Sequence, residues 1–138
     1  MSRVHRDLEN VSPPPRLHIK IFRSFYFAFA GLFHLFRTQR NARIHLLIAA
    51  AACGLATWLR ISRAEWATLV LTIAAVIILE GLNTAMEAAV DLASPQLHPL
   101  AKVAKDLAAG MVLIAAIASI AVGLFILGPP LWARLFHS

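Results

Sequence analysis

Seven acidic residues occur in this chain, and four of them, Glu80, Glu87, Asp91 and Asp106, fall between residues 80 and 106. At about 100° per residue, Glu80, Asn83, Thr84, Glu87 and Asp91 share one side of a helix, so a polar stripe runs along an otherwise apolar segment. Two carboxylates and a carboxamide offer hard oxygen ligands, and Mg²⁺ is commonly held by one or two carboxylates plus substrate phosphates. Lys105 and Asp106, just beyond a short connection, can return to the same place.

The segments that must position these groups are those of a membrane protein. Apolar residues make up 59% of the chain and charged residues 14%, with a mean hydropathy of +0.71; soluble domains carry about 45–50% and about 25%. The net charge of +6 does not imply nucleic acid, because no helix-turn-helix, zinc-finger or RNA-binding signature accompanies it. Cys53 is the single cysteine, lying inside an apolar run, which excludes a disulfide framework and a Cys-based metal site. The polar start of the chain has no apolar core ahead of a cleavage site, so no secretory signal peptide is expected.

The predicted fold class is an all-α membrane protein: three transmembrane helices plus an N-terminal amphipathic surface helix, assembled as a helical bundle. Residues 1–19, with Pro13-Pro14-Pro15, form a mobile cytoplasmic tail in this reading. Ile21, Phe22, Phe25, Phe29, Leu32, Phe33 and Phe36 recur at three-and-four spacing. They place a surface helix at 20–37, ended as a possible span by Arg37, Arg40 and Arg43. Spans are expected at 44–59, 66–91 and 107–127, the last stopped by Gly128-Pro129-Pro130, with 129–138 a short C-terminal tail. Together, residues 20–128 make one membrane domain. Trp58 and Trp66 bracket the first turn as interfacial aromatics do, and the excess of Lys and Arg puts the N-terminus and the 92–106 loop in the cytoplasm. The expected location is the cytoplasmic (inner) membrane.

Counting from Trp66 at about 1.5 Å per residue, Glu80 lies roughly 21 Å into the bilayer and Glu87 near its inner interface. A charged side chain at the bilayer centre costs about 2.5–3.5 kcal/mol even on the gentler scales, so a buried Glu needs a partner or a task. A site that straddles the interface can accept a water-soluble reactant from one side and a lipid headgroup from the other. Phosphoryl transfer needs a metal and Lys against phosphate charge, and a carboxylate to take the hydroxyl proton. Glu80, the most desolvated carboxylate, is the natural base. No Walker A sequence is present, so an ATP site here is not a P-loop.

The run Glu80-x-x-Asn83-Thr84-Ala85-Met86-Glu87-x-x-Val90-Asp91, with His98-Pro99-Leu100-Ala101-Lys102 and Ala104-Lys105-Asp106-x-x-Ala109-Gly110, resembles the prokaryotic diacylglycerol kinase and undecaprenol kinase family. The resemblance covers roughly Lys20 to Leu127. It implies a homotrimer of three-span subunits using Mg-ATP, with active sites at subunit contacts and a membrane lipid alcohol as acceptor. By motif position, Glu80 is then the general base, Glu87 a metal ligand, Asn83 a polar site residue, and Lys105 with Asp106 nucleotide or phosphate contacts. Asp91 and His98 are further polar site residues. The His98 to Lys102 stretch is more similar to the undecaprenol kinase branch, which makes undecaprenol the first expectation and diacylglycerol the second.

This chain departs from the family pattern twice. The additional metal-binding Glu, which precedes the stretch matching Arg40 to His45, is Gln39 here, and a neutral amide oxygen ligates Mg²⁺ less strongly. A basic residue common in the family is Ala30, so Arg23 is the candidate nucleotide contact on the surface helix. The competing expectation is a non-enzymatic scaffold or ion-conducting oligomer in which the acidic stripe joins helices or lines an ion path.

Overall fold

The computed structural model describes residues 17–94 and 98–136, with side chains from Ile21 onward. Most of the tail expected over residues 1–19 lies outside the described residues, and helix begins at Leu17, inside that range. Four helices follow: α1 (Leu17–Thr38), α2 (Arg40–Leu59), α3 (Arg63–Ala93) and α4 (Pro99–Phe136). The described residues contain no strand. The last three helices are each long and apolar enough to cross a membrane. The chain divides into two units, Met1–Phe33 and His34–Ser138.

In the first unit, α1 carries exposed aromatic side chains at Phe22, Phe25, Tyr26, Phe27, Phe29 and Phe33. Tyr26 and Phe27 meet edge to face at 5.6 Å, and the Arg23 guanidinium lies over the Phe27 ring at 6.0 Å.

In the second unit, Gln39 interrupts the helix with extended backbone (φ −92°, ψ 119°). Its N–H still donates to Leu35 O at 2.9 Å, and its carbonyl accepts from the Arg43 N–H, so the chain bends with few lost backbone bonds. α2 ends at Arg60, whose left-handed conformation (φ 55°) is unusual for a residue with a Cβ. Ser62 and Glu65 then form a capping box that starts α3: the Glu65 N–H donates to Ser62 Oγ and the Ser62 N–H to Glu65 Oε2 at 2.7 Å. α3 packs most extensively on α4. Near the α2–α3 turn, Ala56, Leu59, Leu69, Ile126 and Leu127 form a small core.

That core is modest because these helices meet lipid. Leu71, Ile117 and Phe125 are 70%, 60% and 80% exposed, which water would not tolerate across three helices.

The helix stop expected at Gly128-Pro129-Pro130 does not occur: α4 runs through both prolines to Phe136. Each proline forfeits one backbone donor but keeps a helical φ, and membrane helices tolerate this where neighbours compensate. Here Arg134 Nη1 donates to Trp58 O at 2.8 Å and its guanidinium sits 4.7 Å over the Trp58 ring, tying the extension to the end of α2. The helices likewise extend beyond the expected spans at 44–59, 66–91 and 107–127, because flanking polar residues such as Arg40, Arg63 and Lys102 continue the helical turns.

Candidate functional site

α3 presents one buried side to its neighbours, marked by Leu69, Val76 and Glu80 at helical spacing. Glu80 is 2% exposed, and among the described residues it is the one buried charged side chain. No hydrogen bond or ion pair engages its carboxylate among the described residues. A Cβ built at the neighbouring Gly81 would lie 3.7 Å from Leu35 Cδ2, an ordinary van der Waals distance, so the Leu35 side chain lies against α3 beside Glu80. Gln39 is one turn beyond Leu35, half-buried, and its side chain makes no cap hydrogen bond.

One turn past Glu80, Asn83 Nδ2 donates to Glu87 Oε1 at 3.0 Å, within a helical i,i+4 pair. This leaves Asn83 Oδ1 buried and without a partner. An acceptor in that state costs about 1–3 kcal/mol unless a ligand, ion or water completes it. Thr84 Oγ1 spends its proton on Glu80 O at 3.0 Å and so is held in the helix. Glu87 is half-buried. The stripe thus passes from a buried carboxylate, through an orphaned amide oxygen, to a partly wetted carboxylate.

Toward the end of α3, Asp91 meets α4: Lys105 Nζ lies 2.5 Å from Asp91 Oδ1. The pair joins the two helices across the connection that holds residues 95–97. Lys105 therefore returns to the acidic stripe, as its position in the chain suggests. Asp106 is exposed and pairs with Lys102, one turn earlier on α4. Lys102 was not among the expected site residues, although its i,i+4 spacing to Asp106 is readable from the sequence. His98 has a local engagement: its Nδ1 accepts the Leu100 N–H at 3.2 Å and its carbonyl accepts from Ala101 and Lys102, so it caps α4. Arg23 belongs to the first unit, where it stacks on Phe27.

Among the described residues no three His, Cys, Asp or Glu side chains converge on one point. The donor set is thus not a closed metal cage. It suits a cation that arrives with phosphate oxygens and needs only one or two protein carboxylates. Glu87 and the unpartnered Asn83 Oδ1, neighbours on α3, fit that demand, and Gln39 carries a further amide that no cap hydrogen bond engages.

A model of the family described as prokaryotic diacylglycerol kinase matches residues 26–127. The chain is 50% identical over 109 residues to a Synechocystis protein named diacylglycerol kinase, a match covering 78% of this chain and 62% of that protein's length. It is 41% identical over 112 residues to the undecaprenol kinase of Bacillus subtilis, covering 81% of this chain and 91% of the relative. A Helicobacter pylori diacylglycerol kinase is 30% identical over 104 residues, with 75% and 81% covered. The matched span takes in the whole acidic stripe, the Asp91–Lys105 bridge and most of each membrane-crossing helix, and on this ground the chain belongs to the prokaryotic diacylglycerol kinase family of lipid kinases.

Proposed function

We propose that this chain transfers the γ-phosphoryl group of Mg-ATP to the hydroxyl of a membrane lipid alcohol, undecaprenol in the first place, at the cytoplasmic face of the inner membrane. The observation that carries the reading is Glu80, a carboxylate 2% exposed and unengaged at the head of a stripe of oxygen donors. A buried carboxylate with no partner costs free energy that a purely structural stripe has no reason to carry.

In this mechanism the lipid hydroxyl approaches Glu80 from the apolar side. Glu80 accepts its proton as the alcohol oxygen bonds to phosphorus and the bond to the departing ADP oxygen breaks, after which the proton leaves to water. Glu87, Asn83 Oδ1 and Gln39 would hold Mg²⁺, which would supply neutralisation of phosphate charge. Lys105, already fixed against Asp91, keeps two further N–H donors for phosphate oxygens. Asp106 completes the nucleotide contacts, with Asp91 and His98 shaping the ends of α3 and α4.

The chain acts as a homotrimer in this reading, as its resemblance to the family implies. The N-terminus and the α3–α4 connection face the cytoplasm, where ATP is available, as the excess of Lys and Arg on those segments supports.

Diacylglycerol is the second reading, favoured by the name of the Synechocystis relative at 50% identity. Purified protein in lipid vesicles, given labelled ATP and magnesium, tests both against ceramide in parallel. Transfer to undecaprenol at the highest kcat/KM supports the first reading, and a preference for diacylglycerol supports the second. No transfer to any alcohol by well-folded protein returns the chain to the scaffold or ion-path alternative.

A further inference from the structure

Three tryptophans occur in the chain, Trp58, Trp66 and Trp132, and all three stand at the end of the bundle away from the acidic stripe. Three arginines, Arg60, Arg63 and Arg134, stand with them. One footing holds the cluster together: Ile61, Trp66 and Leu131 all pack on the small core at the α2–α3 turn. Arg134 ties the last turns of α4 to the same place through the Trp58 carbonyl and ring, and that hydrogen bond uses only one of its five N–H donors. Arg60 and Arg63 are exposed, and neither forms an ion pair among the described residues. Glu65, the carboxylate nearest in sequence, is engaged by the Ser62 N–H at 2.7 Å.

Arg60 occupies a position that local geometry favours for glycine. The Ile61 N–H donates to Ala56 O at 3.3 Å and the Arg60 N–H to Thr57 O at 3.2 Å, the paired bonds of a Schellman turn, with φ 55° at Arg60. Glycine would make this turn with less strain, so nothing in the turn itself calls for a guanidinium.

The surroundings say what that guanidinium meets. The 20 residues of α2 span about 30 Å, the thickness of a hydrocarbon core, so Arg60 at its end stands at the level of lipid headgroups. Trp58 and Trp132 are exposed beside it, as interfacial aromatics are.

We propose that this end of the bundle binds the phosphate of an anionic phospholipid, through Arg60, Arg63 and the remaining donors of Arg134. Guanidinium forks match phosphate oxygens bidentately, and three of them without a local counter-charge favour a lipid of net negative charge over a zwitterionic one. The occupant is a lipid rather than a soluble anion, because the exposed neighbours Trp58, Trp132 and Leu135 offer acyl chains an apolar surface directly beneath the cations. The inference does not depend on the kinase reading, and its test involves no turnover.

Because every tryptophan lies at this end, intrinsic fluorescence reports on it alone. The full chain is placed in phosphatidylcholine vesicles, and an equal fraction of the host lipid is replaced by phosphatidylglycerol or phosphatidylcholine brominated high in the acyl chains. Phosphatidylglycerol is expected to quench more strongly, with a relative association constant of about 5, the worth of one basic side chain at an anionic surface. The preference is expected to vanish in the Arg60→Gly, Arg63→Gln double variant, whose glycine suits the left-handed turn and so preserves the fold, checked by helical circular dichroism. Arg63→Gln alone, which leaves the turn untouched, is expected to lower it, and Arg40→Gln at the other end of α2 to leave it unchanged. Equal quenching by the two lipids in the unaltered protein overturns the inference. So does a preference that survives the double variant, or one that excess inorganic phosphate abolishes at constant ionic strength.

Discussion

Replacing Glu80 by Met should make the protein more stable as it makes it inactive. Glu80 is 2% exposed and its carboxylate has no partner among the described residues, so the native state bears most of the cost of holding it away from water. Placing an acidic side chain deep in a bilayer costs about 2.5–3.5 kcal/mol on the insertion scales. Methionine has similar length and no polar atom, so the exchange nearly conserves side-chain volume. The expected gain is about 2 kcal/mol, somewhat less than the full cost because Glu80 lies toward one end of α3. Reversible unfolding in mixed micelles, followed by helical circular dichroism, reads that difference, with lipid phosphorylation assayed on the same preparation. A Glu80→Met protein destabilised by 2 kcal/mol or more would refute the reasoning, since it would mean that Glu80 is held by a favourable partner and serves the fold.

Asp91→Asn removes the cross-helix ion pair, whose side chains are 66% and 37% exposed, so stability should fall by no more than about 1 kcal/mol. The KM for Mg-ATP should rise by a factor of up to about 5, the same energy expressed as affinity; a change in neither would show the pair to be idle. Gln39→Glu supplies a charged ligand in place of a neutral amide, and the magnesium concentration giving half-maximal rate should drop, whereas a higher requirement would remove Gln39 from the metal set. Arg134→Ala loses the hydrogen bond and ring contact with Trp58 and should cost about 1–2 kcal/mol in unfolding with kcat unchanged. A tenfold fall in kcat from that change would place the α2–α4 contact in the reaction pathway.

Much of the architecture was legible because lipid imposes simple demands. Apolar length specified the three crossing helices, and the polar stripe on α3 stood out against them at single-residue resolution. Asp91 and Lys105 do meet, as their flanking positions around a short connection suggest. The unread features depend on contacts between distant residues. Pro129 and Pro130 signal a helix end by local rules, and nothing near them in sequence announces that Arg134 reaches Trp58. A break after residue 37 was legible from Arg37, Arg40 and Arg43, but not that the single residue Gln39 makes it, because the arginines around it suit a helix and a loop equally well. His98 invites a role in the site by type, yet its ring nitrogen caps α4. Periodicity put Glu80, Asn83 and Glu87 on one side, but only packing distinguishes the buried carboxylate from the half-buried one and leaves Asn83 Oδ1 without a partner.

The central claim is that Glu80 takes the proton from a lipid hydroxyl. Its most direct measurement is single-turnover transfer from labelled Mg-ATP to undecaprenol by Glu80→Gln, with nucleotide affinity determined on the same sample. The account predicts a rate at least 10²-fold below that of the unaltered protein, the lower range of general base catalysis, with affinity for Mg-ATP retained. Transfer within threefold of the original rate would contradict it.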